Sequence, residues 1–135
     1  MADAFKITVF FRGDWCPWCN GYLRDFNDHL ETIRNLGGSV VGMTSQIGNQ
    51  SKKNNELEFD INVDPENVAA KRHGIAVTPK EHTPLAEVDG IYEHGMAQPG
   101  VIIEDARGNV LYSWAVVPSE ANWGGSTDRP LVGDI

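Results

Sequence analysis

The sequence predicts a single α/β domain in which a central mixed sheet is flanked by helices and closed by an antiparallel hairpin. Extended apolar segments alternate with helical patterns along the first half of the chain, an order that builds parallel strands. Two extended segments near the carboxyl end are separated only by turn residues, which is typical of a hairpin. The length of 135 residues suits one domain, residues 1–135, with residues 118–135 as a C-terminal tail.

The first three elements are a strand, a long helix and a second strand. Phe5 to Phe11 is β-branched and aromatic, which predicts a buried strand. After a loop, the pattern is helical from Pro17, and apolar residues recur every three or four positions at Cys19, Leu23, Phe26, Leu30 and Ile33. Gly37-Gly38 predicts the end of this helix, and Ser39 to Met43 predicts the second strand.

The middle of the chain is more polar. Thr44 to Glu56 predicts a short helix, and Leu57 to Val63 predicts a third extended segment. Asp64-Pro65 is typical of a helix start, and Gly74 of the end of that helix. Ile75 to Pro99 is the longest irregular segment, and segments of this length in a small domain are usually functional or mobile.

The chain then returns to extended structure. Val101 to Glu104 predicts a strand, residues 105–109 a hairpin turn, and Val110 to Val116 the returning strand. The predicted order is therefore β-α-β-α-β-α-loop-β-β.

Charge and hydropathy exclude several classes of partner. Nineteen acidic and eleven basic residues give a net charge of −8, and no Lys/Arg cluster offers the basic face that nucleic acid requires. No apolar stretch approaches the roughly 20 residues that span a bilayer. The N-terminus lacks the pattern of a secretory signal. We therefore expect no nucleic-acid partner, no membrane association and a cytoplasmic location.

The two cysteines, Cys16 and Cys19, are three residues apart. A disulfide between them closes too small a loop to stabilise the fold much, so the pair is not a structural staple. In a reducing compartment such a pair is redox-active or binds metal. Zinc requires about four ligands, and the histidines occur at no regular ligand spacing: His29, His73, His82 and His94. The sequence predicts a redox-active dithiol with neither metal nor cofactor.

The position of the pair predicts different roles for the two thiols. Cys16 lies where the first strand leads into the long helix, and a helix N-terminus favours the thiolate. Cys19 is one turn further on, within reach for a disulfide and on the apolar stripe. We expect Cys19 to be the less exposed thiol, Cys16 to attack and Cys19 to resolve.

The segment from Phe10 to Cys19, FFRGDWCPWC, resembles the active-site strand and turn of thioredoxin-fold proteins. Its Phe-Arg-Gly-x-Trp-Cys-Pro-x-Cys pattern is similar to that of the peroxiredoxin-like branch of the AhpC/TSA redoxin group. Three further segments match that group in order: residues 62–75, 98–105 and 108–112. The resemblance covers most of residues 5–117. It implies a thioredoxin-like fold and an antioxidant or thiol-disulfide oxidoreductase activity.

The sequence departs from the peroxiredoxin pattern in ways that bear on peroxide chemistry. Aligned on Cys16, the family's proline and threonine positions are Val9 and Gly13. The family's strand-entry arginine is replaced near Pro99. These losses argue against efficient peroxide reduction, although Arg12, just before the motif, is a candidate replacement for the arginine.

The resemblance also implies a substrate-binding surface. Thioredoxin folds place a cis-proline opposite the dithiol, and Pro99 is favoured over Pro79 because a predicted strand follows it almost directly. Trp18 lies between the cysteines and is either an exposed recognition residue or a packing residue. The predicted substrate-binding residues are Arg12, Trp15, Pro17, Trp18 and Pro99.

We therefore predict a thiol-disulfide oxidoreductase with a Cys16/Cys19 dithiol. One alternative is a thiol-dependent peroxidase with Cys16 as peroxidatic and Cys19 as resolving cysteine. A second alternative is a non-catalytic thioredoxin-fold binding module that uses the 75–99 segment and the tail. The expected partners are a disulfide or peroxide substrate and a thiol reductant such as glutathione or a thioredoxin.

Overall fold

The computed structural model describes residues 4–80 and 91–115. Its strands are β1 (Phe5–Phe10), β2 (Gly38–Thr44), β3 (Asp60–Val63), β4 (Val77–Thr78), β5 (Met96–Ala97), β6 (Gly100–Asp105) and β7 (Val110–Ala115). Its helices are α1 (Pro17–Asp28), α2 (Leu30–Asn35), α3 (Ser51–Asn54) and α4 (Val68–Arg72).

Five strands form one mixed sheet in the order β3-β2-β1-β6-β7. Strands β1, β2 and β3 are parallel neighbours, whereas β6 runs antiparallel to β1 and β7 antiparallel to β6. This arrangement confirms the predicted central mixed sheet with a closing hairpin. Phe10 pairs with Met43 on one side and with Gly100 on the other. The ends of β1 and β2 and the start of β6 therefore lie at one edge of the sheet, which we call the site edge.

The sheet is covered on both faces. Ile7 and Val9 of β1 belong to a core cluster that includes the apolar stripes of α1 and α2. Phe10 belongs to a second cluster, on the α4 side, with Ala70 and Ile102. Because alternate residues of a strand point to opposite faces, the central strand is buried on both sides, and the fully buried side chains include Val9 and Phe10.

The predicted long helix is instead two helices. His29 adopts φ −98° and ψ 3° between α1 and α2, and its amide donates to the carbonyls of Asp25 and Phe26. The His29 ring Nδ1 also lies 2.8 Å from the Asp25 carbonyl oxygen. With ψ near 0°, His29 leaves the helical conformation, and its amide is shared with the i−3 carbonyl of Phe26, as in the tightened last turn of a helix, so α1 ends there. Leu30 and Ile33 continue the buried stripe on α2.

The helix predicted to start at Asp64-Pro65 begins three residues later, at Val68. Asn67, in the left-handed region with φ 59°, takes the capping position, after a turn closed by its amide on the Asp64 carbonyl. The Asp64 carboxylate still accepts the Ala69 amide at 2.9 Å, as a capping acid does. The predicted end at Gly74 is confirmed by its φ of +71°.

The predicted irregular segment 75–99 contains the short strands β4 and β5, which pair antiparallel as a separate sheet. Within the described part of the chain, no helix combines the length and the apolar character that a membrane span requires.

Candidate active site

Cys16 is the N-cap residue of α1, and its side chain caps the helix. It adopts an extended conformation, φ −87° and ψ 113°, and its Sγ accepts the Cys19 amide at 3.3 Å. Pro17 occupies the first helical position, where its missing N–H costs no helical bond. A sulfur that accepts a hydrogen bond from a backbone amide at a helix N-terminus is stabilised as a thiolate. Only Cys16 of the two cysteines has this position.

Both cysteines are thiols with no exposed surface, at 0% each. The expectation that Cys19 is the less exposed thiol is therefore wrong, because the two are equally buried. The reason is that Cys16 also belongs to the apolar core cluster beneath α1, together with Val9 and Val101. A bulky substrate therefore reaches Cys16 only when the surrounding chain opens locally.

Arg12 lies at the site edge and is 6% exposed. Its Nε and Nη2 donate to Gln98 Oε1 at 2.9 and 2.7 Å. Gln98 is held in turn by two further bonds. Its side-chain Nε2 donates to Thr78 Oγ1 at 2.6 Å, and its backbone N–H donates to the Ala76 carbonyl at 2.9 Å. These contacts hold the Arg12 guanidinium at the entry of β6, where Gln98 directly precedes Pro99 in the sequence.

The peptide bond between Gln98 and Pro99 is trans, as is that between Thr78 and Pro79, because the described residues contain no cis bond. The prediction of a cis-proline is wrong at both positions. A residue before a trans proline favours extended backbone, and here the chain passes from β5 to β6 through these two residues without a turn. Pro99 is fully buried at the site edge.

Tyr92 is a site residue that the sequence did not single out. Its ring is 0% exposed, and its hydroxyl accepts the Trp15 indole N–H at 2.8 Å and donates to the Arg12 carbonyl at 2.7 Å. Burial raises the pKa of Tyr92 to about 12, with smaller contributions in the same direction from Asp14 and from both cysteines, against a lowering by Trp15. Tyr92 therefore remains a neutral donor at physiological pH. The one sequence signal was that it falls in the long 75–99 segment.

Gly13 allows this close packing. A Cβ at position 13 would lie 2.5 Å from the Tyr92 hydroxyl, 2.6 Å from Trp15 Nε1 and 2.8 Å from Gln46 Oε1. Position 13, which aligns with the threonine of the resembling family, therefore has no room for a larger side chain.

The Asp14 carboxylate is held by the loop after β2. Its Oδ1 accepts Gln46 Nε2 and its Oδ2 accepts the Gln50 amide, each at 2.9 Å. Gln46 Oε1 accepts the Asp14 amide at 2.9 Å, so the two residues bind each other reciprocally. The loop before Cys16 is therefore anchored to the loop after β2 on one side and to Tyr92 on the other.

Some predicted residues are only partly described. The side chains of Pro17 and Trp18 and all of residues 118–135 lie outside the described part of the structure, so their predicted roles stay predictions. Among the described residues, no group of three His, Cys, Asp or Glu side chains could hold a metal ion. Among these same described residues, surface hollows of about 430 and 510 Å³ lie along β3 and beside the second half of α1, and neither of these is lined by a cysteine.

Comparison with known proteins agrees with the fold. Residues 2–113 match the AhpC/TSA family model. Similar solved structures include peroxidoxin BcpB from Mycobacterium tuberculosis, 14% identical with a TM-score of 0.68 over 83% of this chain and 68% of that one. The bacterioferritin comigratory protein of Xanthomonas campestris is 14% identical with a TM-score of 0.67, over 91% and 74%.

AhpC from Enterococcus faecalis is 15% identical with a TM-score of 0.63, over 84% of this chain and 64% of that one. No curated protein matches the sequence at a significant level. The family match covers most of the 135 residues, and the similar structures share the thioredoxin-like peroxiredoxin fold. The chain therefore belongs to the AhpC/TSA family and is an oxidoreductase that acts on thiols, disulfides or peroxides.

Proposed function

We propose that this chain is a thiol-disulfide oxidoreductase in which Cys16 attacks the substrate and Cys19 resolves the intermediate. The observation that carries the proposal is the 3.3 Å hydrogen bond from the Cys19 amide to Cys16 Sγ. It supports a thiolate at Cys16 and places the second cysteine one helical turn from it.

The reaction balances with the two cysteines alone. The Cys16 thiolate attacks one sulfur of a substrate disulfide, forms a mixed disulfide and releases the other sulfur as a thiolate. Cys19, as its thiolate, then attacks Cys16 Sγ, expels the remaining substrate thiolate and leaves a Cys16–Cys19 disulfide. Two molecules of glutathione, or one dithiol of a thioredoxin, then reduce this disulfide and return both cysteines to thiols, the reductant leaving as its own disulfide.

Five residues are proposed to form the substrate-binding surface around this dithiol. Trp15 and Arg12 are tied together through Tyr92, and Pro99 is buried at the entry of β6. With the two residues between the cysteines, the set is Arg12, Trp15, Pro17, Trp18 and Pro99.

Peroxide is the second candidate substrate, favoured by two observations. Cys16 has no exposed surface, and a small oxidant reaches a buried sulfur more easily than a large disulfide does. The Arg12 guanidinium is also held at the entry of β6. One similar structure is described by its alkyl peroxide reduction activity. Here the Cys16 thiolate would attack a peroxide oxygen and, with one proton, yield a sulfenic acid and water or an alcohol. Cys19 would then displace water from that sulfenic acid to form the disulfide.

Rates with the two substrates decide between the candidates. Reduced protein is mixed in a stopped-flow instrument with hydrogen peroxide in one series and with hydroxyethyl disulfide in another, and tryptophan fluorescence reports the reaction. We expect the larger second-order rate constant with the disulfide, because Gly13 offers no side-chain donor to peroxide and one lost donor costs roughly 10²–10³ in rate. A larger constant with peroxide would replace the first candidate by the second.

Variants test the division of labour. Cys19→Ser should accumulate a stable mixed disulfide on Cys16, and Cys16→Ser should react with neither oxidant. Mild oxidation of the unaltered protein should remove two hydrogens per chain, as mass spectrometry would detect. A dithiol inert to both oxidants would contradict both candidates and favour a binding module.

A further inference from the structure

We infer that Tyr92 is a positioning residue for the dithiol, whose hydroxyl fixes the loop that carries Cys16. This inference rests on the proposed function, since it concerns the reactivity of Cys16 as the attacking thiol. Tyr92 belongs to none of the motifs around the cysteines, and it reaches the loop from a segment about 80 residues away in sequence.

One hydroxyl joins both halves of the loop. The Tyr92 hydroxyl donates to the carbonyl of Arg12, four residues before Cys16, and accepts the indole N–H of Trp15, the residue directly before it. The Arg12 carbonyl also accepts Thr44 Oγ1 at 3.3 Å. The Tyr92 ring is fully buried, and so is the bond to the Arg12 carbonyl, whereas the bond from Trp15 is partly buried, so competition from water is reduced at both and least at Arg12.

The loop is wrapped tightly around this hydroxyl. Position 13 has no space for a Cβ, which would lie 2.5 Å from the Tyr92 oxygen. The backbone between Arg12 and Trp15 therefore follows the hydroxyl closely, and a glycine is the residue that permits it.

The conformation of this loop matters for the sulfur. The bond from the Cys19 amide to Cys16 Sγ requires the extended backbone of Cys16, which the preceding loop leads into. If the loop is freed to move, that bond weakens on average and the thiolate loses part of its stabilisation. Tyr92 itself stays protonated, with a pKa of about 12, so its effect on Cys16 is one of geometry rather than proton transfer.

The first test is Tyr92→Phe in a Cys19→Ser background, which leaves Cys16 as the one thiol and keeps the amide at position 19. The rate of alkylation of Cys16 by iodoacetamide is measured against pH. We expect the midpoint to rise by about half a unit, and the rate below the midpoint to fall about threefold, as the capping bond weakens. Tyr112→Phe, on the partly exposed face of β7, is the matched control and should change neither value.

A second pair of variants tests whether position 13 acts through the same hydroxyl. Gly13→Ala should raise the midpoint as well, because its methyl displaces the Tyr92 hydroxyl. Gly13→Ala combined with Tyr92→Phe removes the nearest of the three atoms that the methyl meets, so the combined shift should be smaller than the sum of the single shifts.

The outcomes separate this inference from the proposed function. If Tyr92→Phe lowers only the melting temperature and leaves the alkylation profile unchanged, Tyr92 is merely structural and the inference is wrong. If the Cys19→Ser protein itself alkylates with the midpoint of a free thiol, about 8.5, the proposed role of Cys16 fails whatever Tyr92 does.

Discussion

Side-chain hydrogen bonds hold the chain at both ends of strand β6, but they differ in burial and in the sequence separation of the residues they join. At the start, Gln98 is 2% exposed and binds Arg12, which is 86 residues away in the chain. At the other end, the Asp105 carboxylate accepts the amides of Arg107 and Asn109 at 2.9 Å, within four residues and at the surface.

This difference predicts which substitutions affect the reactive site and which affect stability alone. At the site edge, buried polar groups form hydrogen bonds between distant segments. Removing one of them leaves its partner buried with neither a water molecule nor another protein group to bond to. In the turn, each bond can be replaced by solvent. We therefore expect substitutions at the start of β6 to affect both stability and the reactivity of Cys16, and substitutions at its end to affect stability alone.

The largest effect is expected for Gln98→Leu. The change removes the oxygen that accepts two N–H groups of the buried Arg12, so unfolding free energy should fall by about 2–4 kcal/mol. Urea unfolding followed by circular dichroism measures it. Gln50→Leu is the matched control, because the Gln50 side chain is exposed and its contact with Asp14 is made by its backbone. Equal losses for the two variants would contradict the comparison.

Arg12→Lys should have a smaller effect. A lysine keeps the charge but cannot donate two N–H groups in the geometry of a guanidinium, and about 1–2 kcal/mol of stability should be lost. The rate with hydrogen peroxide should fall more than the rate with hydroxyethyl disulfide, because only peroxide needs a polarising donor. Arg107→Lys, in the turn at the other end of β6, should leave both rates unchanged. Equal losses with the two oxidants would show that Arg12 has no selective role toward peroxide.

The same contrast explains what the sequence could predict. The hairpin turn depends on neighbouring residues, and the capping position of Cys16 depends on a strand, a proline and a helical stripe, all of which are local patterns. Tyr92 and Gln98 give no such pattern, because Trp15 and Arg12, the residues they bind in the loop before Cys16, are 77 to 86 residues away and are brought close by the pairing of β1 with β6. The wrong prediction for Pro99 had another source: the cis bond was implied by the resemblance to thioredoxin folds and not by a local pattern of the sequence, and the bond is trans.

Local sequence was also misleading where two local preferences competed. The apolar stripe from Cys19 to Ile33 predicted one helix, and the buried residues do follow that stripe. It carried no information on His29, whose backbone leaves the helical conformation and ends α1. Hydrophobic periodicity thus located the buried face but not the break in the backbone.

Gly108→Ala should reduce stability by about 1 kcal/mol without altering alkylation of Cys16, because Gly108 has a φ of +84° that an alanine adopts only with strain. Gly21→Ala provides a control of opposite sign. Gly21 lies within α1 with open space around its Cβ position, so alanine there should stabilise the protein by about 0.5–1 kcal/mol. Thermal unfolding of both variants measures the pair, and a change of the same sign in both would contradict the assignment of strain to the turn.

The smallest effect is expected for Asp105→Asn, and it should depend on pH. Hydrogen bonds from Asn109, and then from Arg107, hold the pKa of Asp105 below its ordinary value. Because the folded pKa is lower than the unfolded one, the carboxylate contributes stability above the unfolded pKa, about 4, and loses it as the pH falls through the folded pKa. The difference in melting temperature between the two proteins should therefore be constant from pH 8 to about pH 5 and disappear in more acidic solution.

Asp60 shows how this contribution can be distinguished from that of an ion pair. The pKa of Asp60 is also lowered, but by Lys52, whose Nζ lies 2.6 Å from its Oδ1. Salt weakens the attraction between exposed opposite charges, so the effect of Asp60→Asn should be smaller at 1 M salt than at low salt. Asp105 is held mainly by neutral N–H groups, so the effect of Asp105→Asn should persist in the same solution. If salt reduced the effects of Asp60→Asn and Asp105→Asn equally, Asp105 would be stabilising the protein through other charges and not through the hydrogen bonds within its own turn.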